Sequence, residues 1–244
     1  MQRQSKSMDF EGLSAALASA VGPAYDVGKM SPALDWLSLA FVLHTRSSAG
    51  QFLDAGCGTG IAARAVIERG GHVVAIDPEE SLLAQLRACI PAEQHARLTT
   101  RTGGISDIEF EDAHFAGVHA AHMFQALTGP SISQALQKMF RWLLPTGKLF
   151  VSVHTPAGPR WQAFMPEFSR RKASAARWPG LVEDVRSVLS SGESGWIHLL
   201  DAQTLCRELL KAGFAIDEMK SYVTPWNANE VCCAVVASRP AKYQ

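Results

Sequence analysis

Three glycines at alternate positions, Gly56, Gly58 and Gly60, are followed seventeen residues after the last by an aspartate, Asp77. The glycines lie between an apolar run and a segment of helical periodicity, where a turn without Cβ atoms lets a ligand approach the backbone. Asp77 ends the next apolar run, a position from which a carboxylate accepts two hydrogen bonds from ribose hydroxyls. Together they imply a nucleoside-bearing cofactor. A dinucleotide is disfavoured, because its fingerprint needs glycine at the sixth place of the turn and Gly56-Cys57-Gly58-Thr59-Gly60-Ile61 has isoleucine there. His119, His122 and His154 fall at the ends of two later apolar runs, and an imidazole suits removal of a proton near neutral pH. His122 and His154 are the chosen catalytic candidates, set against the plainer reading of histidines hydrogen-bonded near a crevice. No metal is expected, since the three-residue spacing of His119 and His122 points them apart on an extended chain.

These residues need strands and helices to hold them. From about residue 50, apolar runs alternate with segments of helical periodicity, the pattern of βαβ units. Gln51 to Asp54 reads as a first strand, Gly56 to Gly60 as its turn, Ile61 to Arg69 as a helix closed by Gly70-Gly71, and His72 to Ile76 as a second strand. Asp77-Pro78-Glu79-Glu80 opens the next helix with a cap, an early proline and two carboxylates against the positive end of the dipole. Further strands are expected over Arg97 to Arg101, Ala116 to Ala121 and Lys148 to Val153. A helix carrying Ile132, Leu136, Met139, Phe140 and Leu143 links the last two. Asp201 as cap, Leu205 and Leu209 on one face and Gly213 as terminator define a late helix. Phe214 to Val223 and Glu230 to Ser238 then form a closing antiparallel pair, in which Cys232 and Cys233 face opposite sides of the sheet.

The fold class is therefore α/β, in a single domain over 1–244. A helical cap occupies 9–48 (Leu13 to Val21, then Ala33 to Leu43), a cofactor core 50–154, an insert 155–200, and the closing helix and strand pair 201–238. Insertions at a strand's carboxyl end cover the crevice of an open sheet, so cap and insert are candidate lids.

Phe52 to Gly60 reads FLDAGCGTG and closely resembles the first motif of the class I S-adenosylmethionine-dependent methyltransferases. The resemblance continues through VVAIDPEESLLAQLR (73–87), GGISDIEFEDAHFAGV (103–118) and FRWLLPTGKLFVSV (140–153). It implies a Rossmann-like, mostly parallel seven-stranded sheet with helices on both faces and an antiparallel last strand. S-adenosylmethionine would lie over the carboxyl ends of the first two strands. Position by position, it assigns Asp54 to the methionine ammonium, Gly56 and Gly58 to the backbone beneath that moiety, and Asp77, with Pro78 beside it, to the ribose. Ile105 matches the residue whose main chain meets the adenine, and Tyr25 resembles an N-terminal tyrosine near the cofactor carboxylate. Two departures stand out: Gly104 replaces an acid that often holds the adenine amino group, and Phe115-Ala116-Gly117-Val118 replaces F-D-x-V. Asp107 is the substitute candidate for adenine.

Composition narrows the partners. Twenty-three basic and twenty-three acidic residues cancel, which removes the field of a dedicated nucleic-acid binder. No run of eighteen apolar residues occurs and the first residues are polar, so neither a membrane span nor a signal peptide is expected. Five scattered cysteines without C-x-x-C spacing point to a reducing, cytoplasmic setting. The expected reaction is methyl transfer to an oxygen or nitrogen of a small metabolite. The insert's Trp161, Trp178 and Trp196 and its Arg160, Arg170, Arg171, Lys172, Arg177 and Arg186 read first as packing and solvated surface. If some of them face the substrate, it is anionic or aromatic. The rivals are methylation of an acyl group on a carrier protein docked by the basic insert, and a non-catalytic regulatory protein that binds the same cofactor.

Overall fold

The computed structural model describes residues 34–189, 195–224 and 227–241, so Tyr25 and the expected helix Leu13 to Val21 lie outside the described residues. Among the described residues the first helix is α1 (Trp36–Ser47), capped by Asp35, whose carboxylate accepts the Ser38 amide at 2.8 Å. That start falls later than the Ala33 suggested by the apolar pattern, because the capping carboxylate sets the boundary. There follow β1 (Gln51–Ala55), α2 (Ile61–Glu68), β2 (Val73–Asp77), α3 (Glu80–Cys89), β3 (Leu98–Thr102), β4 (Phe115–Ala121), α4 (Gly129–Trp142) and β5 (Leu143–His154). The insert holds a 3-10 turn (Pro159–Phe164), α5 (Met165–Ala173) and a two-residue strand pair, β6 (Leu181–Val182) with β7 (Ile197–His198). α6 (Ala202–Ala212), β8 (Ala215–Thr224) and β9 (Asn227–Ser238) complete the order.

Seven strands form one sheet in the order β3-β2-β1-β4-β5-β9-β8. It is parallel from β3 to β5, and β9 runs antiparallel to both its neighbours, which is the Rossmann-like arrangement expected. The carboxyl ends of β1, β2, β4 and β5 consequently open on one edge. β5 is longer than Lys148 to Val153: the turn at Pro145-Thr146-Gly147 lies within it, Leu143 pairs with Phe115, and the register shifts before Gly117. Thr146 takes a left-handed backbone (φ +66°) at this bulge.

Alternate strand residues feed two cores. Leu53, Ile76, Val118 and Val151 meet Ile132, Leu136 and Met139 of α4 and Leu205 and Leu209 of α6. Phe52, Ala75 and Phe150 meet Phe41 of α1, Val66 of α2 and Leu86 of α3 on the other face. Burying a branched or aromatic side chain of this size stabilises by about 1.5–3 kcal/mol, so the two layers fix the sheet edge on which the site stands. A third, smaller cluster, Trp161, Phe164, Phe168, Val182, Val185 and Leu199, belongs to the insert. No helix among the described residues is long and apolar enough to cross a membrane.

Candidate functional site

The glycine turn is tied to the end of the neighbouring strand. Gly56 and Cys57 donate their amides to the Ile76 carbonyl at 2.9 and 3.0 Å, and Gly58 donates to the Asp77 carboxylate at 2.9 Å. The second Asp77 oxygen accepts the Glu79 amide at 2.9 Å, which leaves exposed Pro78 on the rim beside it. Gly60 begins α2 with φ +75°, and a Cβ there would lie 2.4 Å from Leu86 Cδ1, so any other residue is strained and must push aside the buried Leu86 side chain of α3. Asp54 lies under the turn, 2% exposed, and accepts the Ala63 amide at 3.2 Å and His119 Nδ1 at 2.8 Å. His119 stacks on Phe41 at 5.0 Å and meets the Ser38 hydroxyl through Nε2 at 3.1 Å, so it braces α1 against β1 and β4. The loop after β3 packs Ile105 into the core and has Asp107 accepting the Gly104 amide at 3.3 Å, while Lys138 of α4 holds the Ser106 carbonyl.

The same edge continues into a cluster of ionisable side chains. Strand register places His154 opposite Cys232 and Cys232 opposite Tyr222, so three adjacent strands present them in one row. His122 follows β4 directly in a left-handed conformation (φ +51°), its amide held by the Ser152 carbonyl at 3.0 Å. The ring centroids of His122 and His154 are 4.9 Å apart. His122 Nε2 meets Asp35 Oδ2 at 3.1 Å, and the Tyr222 hydroxyl donates to the same oxygen at 2.5 Å. His154 Nδ1 lies 3.4 Å from Glu230 Oε2, and Arg160 is 3.5 Å from the other Glu230 oxygen.

Burial sets the charge states here. It pushes Asp35 up, but His122, Tyr222 and the Ser38 amide outweigh it and hold the carboxyl well below the usual range. Burial, then nearby His122 and Arg160, bring His154 down to about 3, which makes it a neutral imidazole near pH 7. Tyr222 is raised by burial and then by Asp35, and Cys232 by burial, then Glu230 and Asp35. The cluster can therefore orient a hydroxyl or amine through the neutral His154 ring, beside a His122 ring held by the Asp35 carboxylate. It is next to the glycine turn through Met123, the residue after His122: a Cβ on Gly56 would lie 2.9 Å from that of Met123.

The insert is stitched to this edge at both ends. Thr155 donates its amide to the Val231 carbonyl and Leu200 donates to the His154 carbonyl, each at 2.9 Å. Its cations are engaged within the chain: Arg160 with Glu230, Arg170 and Arg171 with Glu167, Lys172 with Asp201, Arg177 with Glu208, and Arg186 with Asp184. Trp161 is buried, Trp178 packs over Gly129 and edge-on to His198, and Trp196 is 45% exposed.

Sequence reasoning selected His122 and His154, which the fold brings together, and missed Asp35, Tyr222, Glu230 and the approach of Cys232. Asp35 carries a local signal, a capping acid three residues before Ser38. Tyr222 and Cys232 carry none, because their meeting depends on hairpin register.

Residues 52–147 match a methyltransferase domain family. An uncharacterised methyltransferase of Mycobacterium bovis is 34% identical over 140 residues, 56% of this chain and 51% of the relative. A ubiquinone biosynthesis O-methyltransferase of Xylella fastidiosa is 29% identical over 154 residues, 62% of this chain and 59% of that protein. The chain thus spans about half the length of the mycobacterial relative. Among solved structures, a Burkholderia thailandensis 1,6-didemethyltoxoflavin-N1-methyltransferase, bound to 1,6-didemethyltoxoflavin and S-adenosylhomocysteine, superposes with a TM-score of 0.63. It is 16% identical and covers 94% of this chain and 86% of its own.

Proposed function

We propose that this chain is a class I S-adenosylmethionine-dependent methyltransferase, as its match to a methyltransferase domain family over 52–147 supports, and that it transfers the sulfonium methyl to an oxygen or nitrogen of a small metabolite. The observation that carries the reading is the contact of Gly56 with Met123, which joins the glycine turn to the His122–His154 pair on one sheet edge. Asp54, Gly56, Gly58, Asp77, Pro78, Ile105 and Asp107 are the residues that face or shape the cofactor site. The sulfonium is already a good leaving group, so the protein's task is to hold nucleophile and methyl carbon in line. His122 and His154 meet the acceptor, and Asp35 with Tyr222 fixes the His122 ring. The O-methyltransferase and N1-methyltransferase names of two similar proteins fit an oxygen or nitrogen acceptor. The insert, rooted at His154, forms the acceptor wall and acts as the lid. Pairing of its cations with internal carboxylates leaves little to dock an acidic carrier.

Calorimetry with S-adenosylhomocysteine, followed by labelled-methyl transfer to a panel of small hydroxyl and amine compounds, tests this. Product binding that weakens in Asp77→Ala, together with label on a free acceptor, is expected. Absence of binding sinks the reading, label found only on carrier-linked acceptors transfers it to the carrier rival, and binding without any label favours the regulatory one.

A further inference from the structure

The sequence argument against a shared metal concerned His119 and His122. His119 turns instead to Asp54 and Ser38, and the histidine that meets His122 is His154. One ligand atom each from His122, His154 and Cys232 lie within 4.8 Å of one another. Cys232 Sγ is 3.7 Å from His154 Nδ1, and Glu230 Oε2 is 3.4 Å from the same nitrogen. Tetrahedral zinc, with bonds of about 2.3 Å to sulfur and 2.0–2.1 Å to nitrogen, puts neighbouring ligands roughly 3.3–3.6 Å apart. Cys232 is fully buried and both imidazoles are largely so, which shields the three ligands from bulk water.

We propose that His122, His154 and Cys232 bind a borderline-soft divalent cation of the zinc class, with the Glu230 carboxylate or an acceptor oxygen completing the coordination. Two nitrogens and a sulfur select such an ion over magnesium or calcium, which take oxygen. Asp35 supplies the outer shell: its carboxylate on His122 Nε2, shared with the Tyr222 hydroxyl, orients the ring as carboxylates do behind metal-bound imidazoles. Asp35 and Glu230 also provide negative charge for a buried dication. Cys232 loses its proton to solvent on binding, which makes affinity rise with pH. The inference deepens the proposed function at the acceptor side. With the cation in place the imidazole lone pairs would be committed to it; the cation would lower the pKa of an acceptor hydroxyl in its fourth position, whose proton would pass to solvent.

The test uses the full chain without a histidine tag, stripped by chelator and titrated with Co²⁺, then Zn²⁺. One Co²⁺ per chain with thiolate-to-cobalt charge-transfer absorption is expected, displaced by Zn²⁺. Cys232→Ser should lose that absorption and Asp35→Asn should weaken binding by about tenfold to a hundredfold. Cys233→Ser, on the opposite face of the sheet, should leave both intact. X-ray absorption of the zinc-loaded, unsubstituted protein should count one sulfur in the first shell, which needs no variant to fold. No stoichiometric binding, no sulfur in the shell, or equal loss in Cys233→Ser would overturn the site. S-adenosylhomocysteine affinity of the stripped protein is the separate readout: retained without metal binding, it leaves the methyltransferase reading standing and removes this inference alone. Metal binding without product affinity does the reverse.

Discussion

The two halves of the proposed site, one for the methyl donor and one for the acceptor, are made of different material. On the β1–β2 side the contact surface is main chain: amides of Gly56, Cys57 and Gly58 anchored on Ile76 and Asp77, with no room for side chains at Gly60. On the side of β4, β5, β9 and β8 it is side chain: His122 and Tyr222 on buried Asp35, with His154 and Cys232 beside them. A main-chain surface recognises what every cofactor of one kind shares, whereas a side-chain surface can change with each substitution. The donor half should therefore break when atoms are added, and the acceptor half when polar atoms are removed.

The largest effect should come from Gly60→Ala. The new Cβ would stand 2.4 Å from Leu86 Cδ1 at a left-handed φ. Overpacking costs about 1–3 kcal/mol and the left-handed backbone roughly 1–2 more, so thermal unfolding should fall by many degrees and product binding with it. Unchanged melting would show that α3 yields freely. Asp77→Ala should lower melting, because the Gly58 and Glu79 amides lose their acceptor, and should reduce S-adenosylhomocysteine affinity by about 1.5–3 kcal/mol, the range for hydrogen bonds to a charged group, as calorimetry would read; Asp77→Asn, which keeps an acceptor for the amides, should lose affinity with less loss of melting. Tyr222→Phe removes the hydroxyl contact to the Asp35 carboxylate and should cost about 1.5–3 kcal/mol in urea unfolding, with product affinity unchanged. Loss of product affinity there would erase the division between the halves.

The smallest effect tests the frame outside both halves. Burial raises Glu208 of α6, but Arg177, Arg207 and Ser133 outweigh it and set its pKa at about 2, below the ordinary 4.5. A lowered carboxyl stabilises the fold above its unfolded pKa, and the benefit disappears as pH falls from about 4.5 towards about 2. The urea midpoints of wild type and Glu208→Gln should differ at pH 7 and converge on acidification. A gap independent of pH would mean that packing, not charge, is what Glu208 contributes.

The contrast also explains how much of the molecule the sequence discloses. The donor half is local: strand, glycine turn, helix, strand and acid occupy Gln51 to Asp77 without interruption, and every one of those elements is present. The alternation gives the βαβ units, whereas the seven-stranded sheet with its antiparallel last strand is implied by the family resemblance and its order is fixed by the pairing. The acceptor half draws on Asp35, His122, His154, Tyr222 and Cys232, which share no local pattern. Their meeting is fixed by the β8–β9 register and by a helix cap, and one residue of slip would turn Cys232 to the other face. His154 was visible only as a strand-terminal histidine. Nothing in its neighbourhood of sequence reveals that Glu230 and Cys232 return beside it. Strand ends were less legible still, since the bulge that carries β5 back to Leu143 depends on pairing with Phe115.

The insert leaves the sheet at His154 and comes back within one hydrogen bond of it, through the Leu200 amide. A segment whose two ends emerge side by side can be exchanged like a cassette, lengthened or replaced while the sheet beneath keeps its course. Acceptor preference in such an architecture is free to diversify on one side of the crevice while the methyl donor is held, unaltered, on the other.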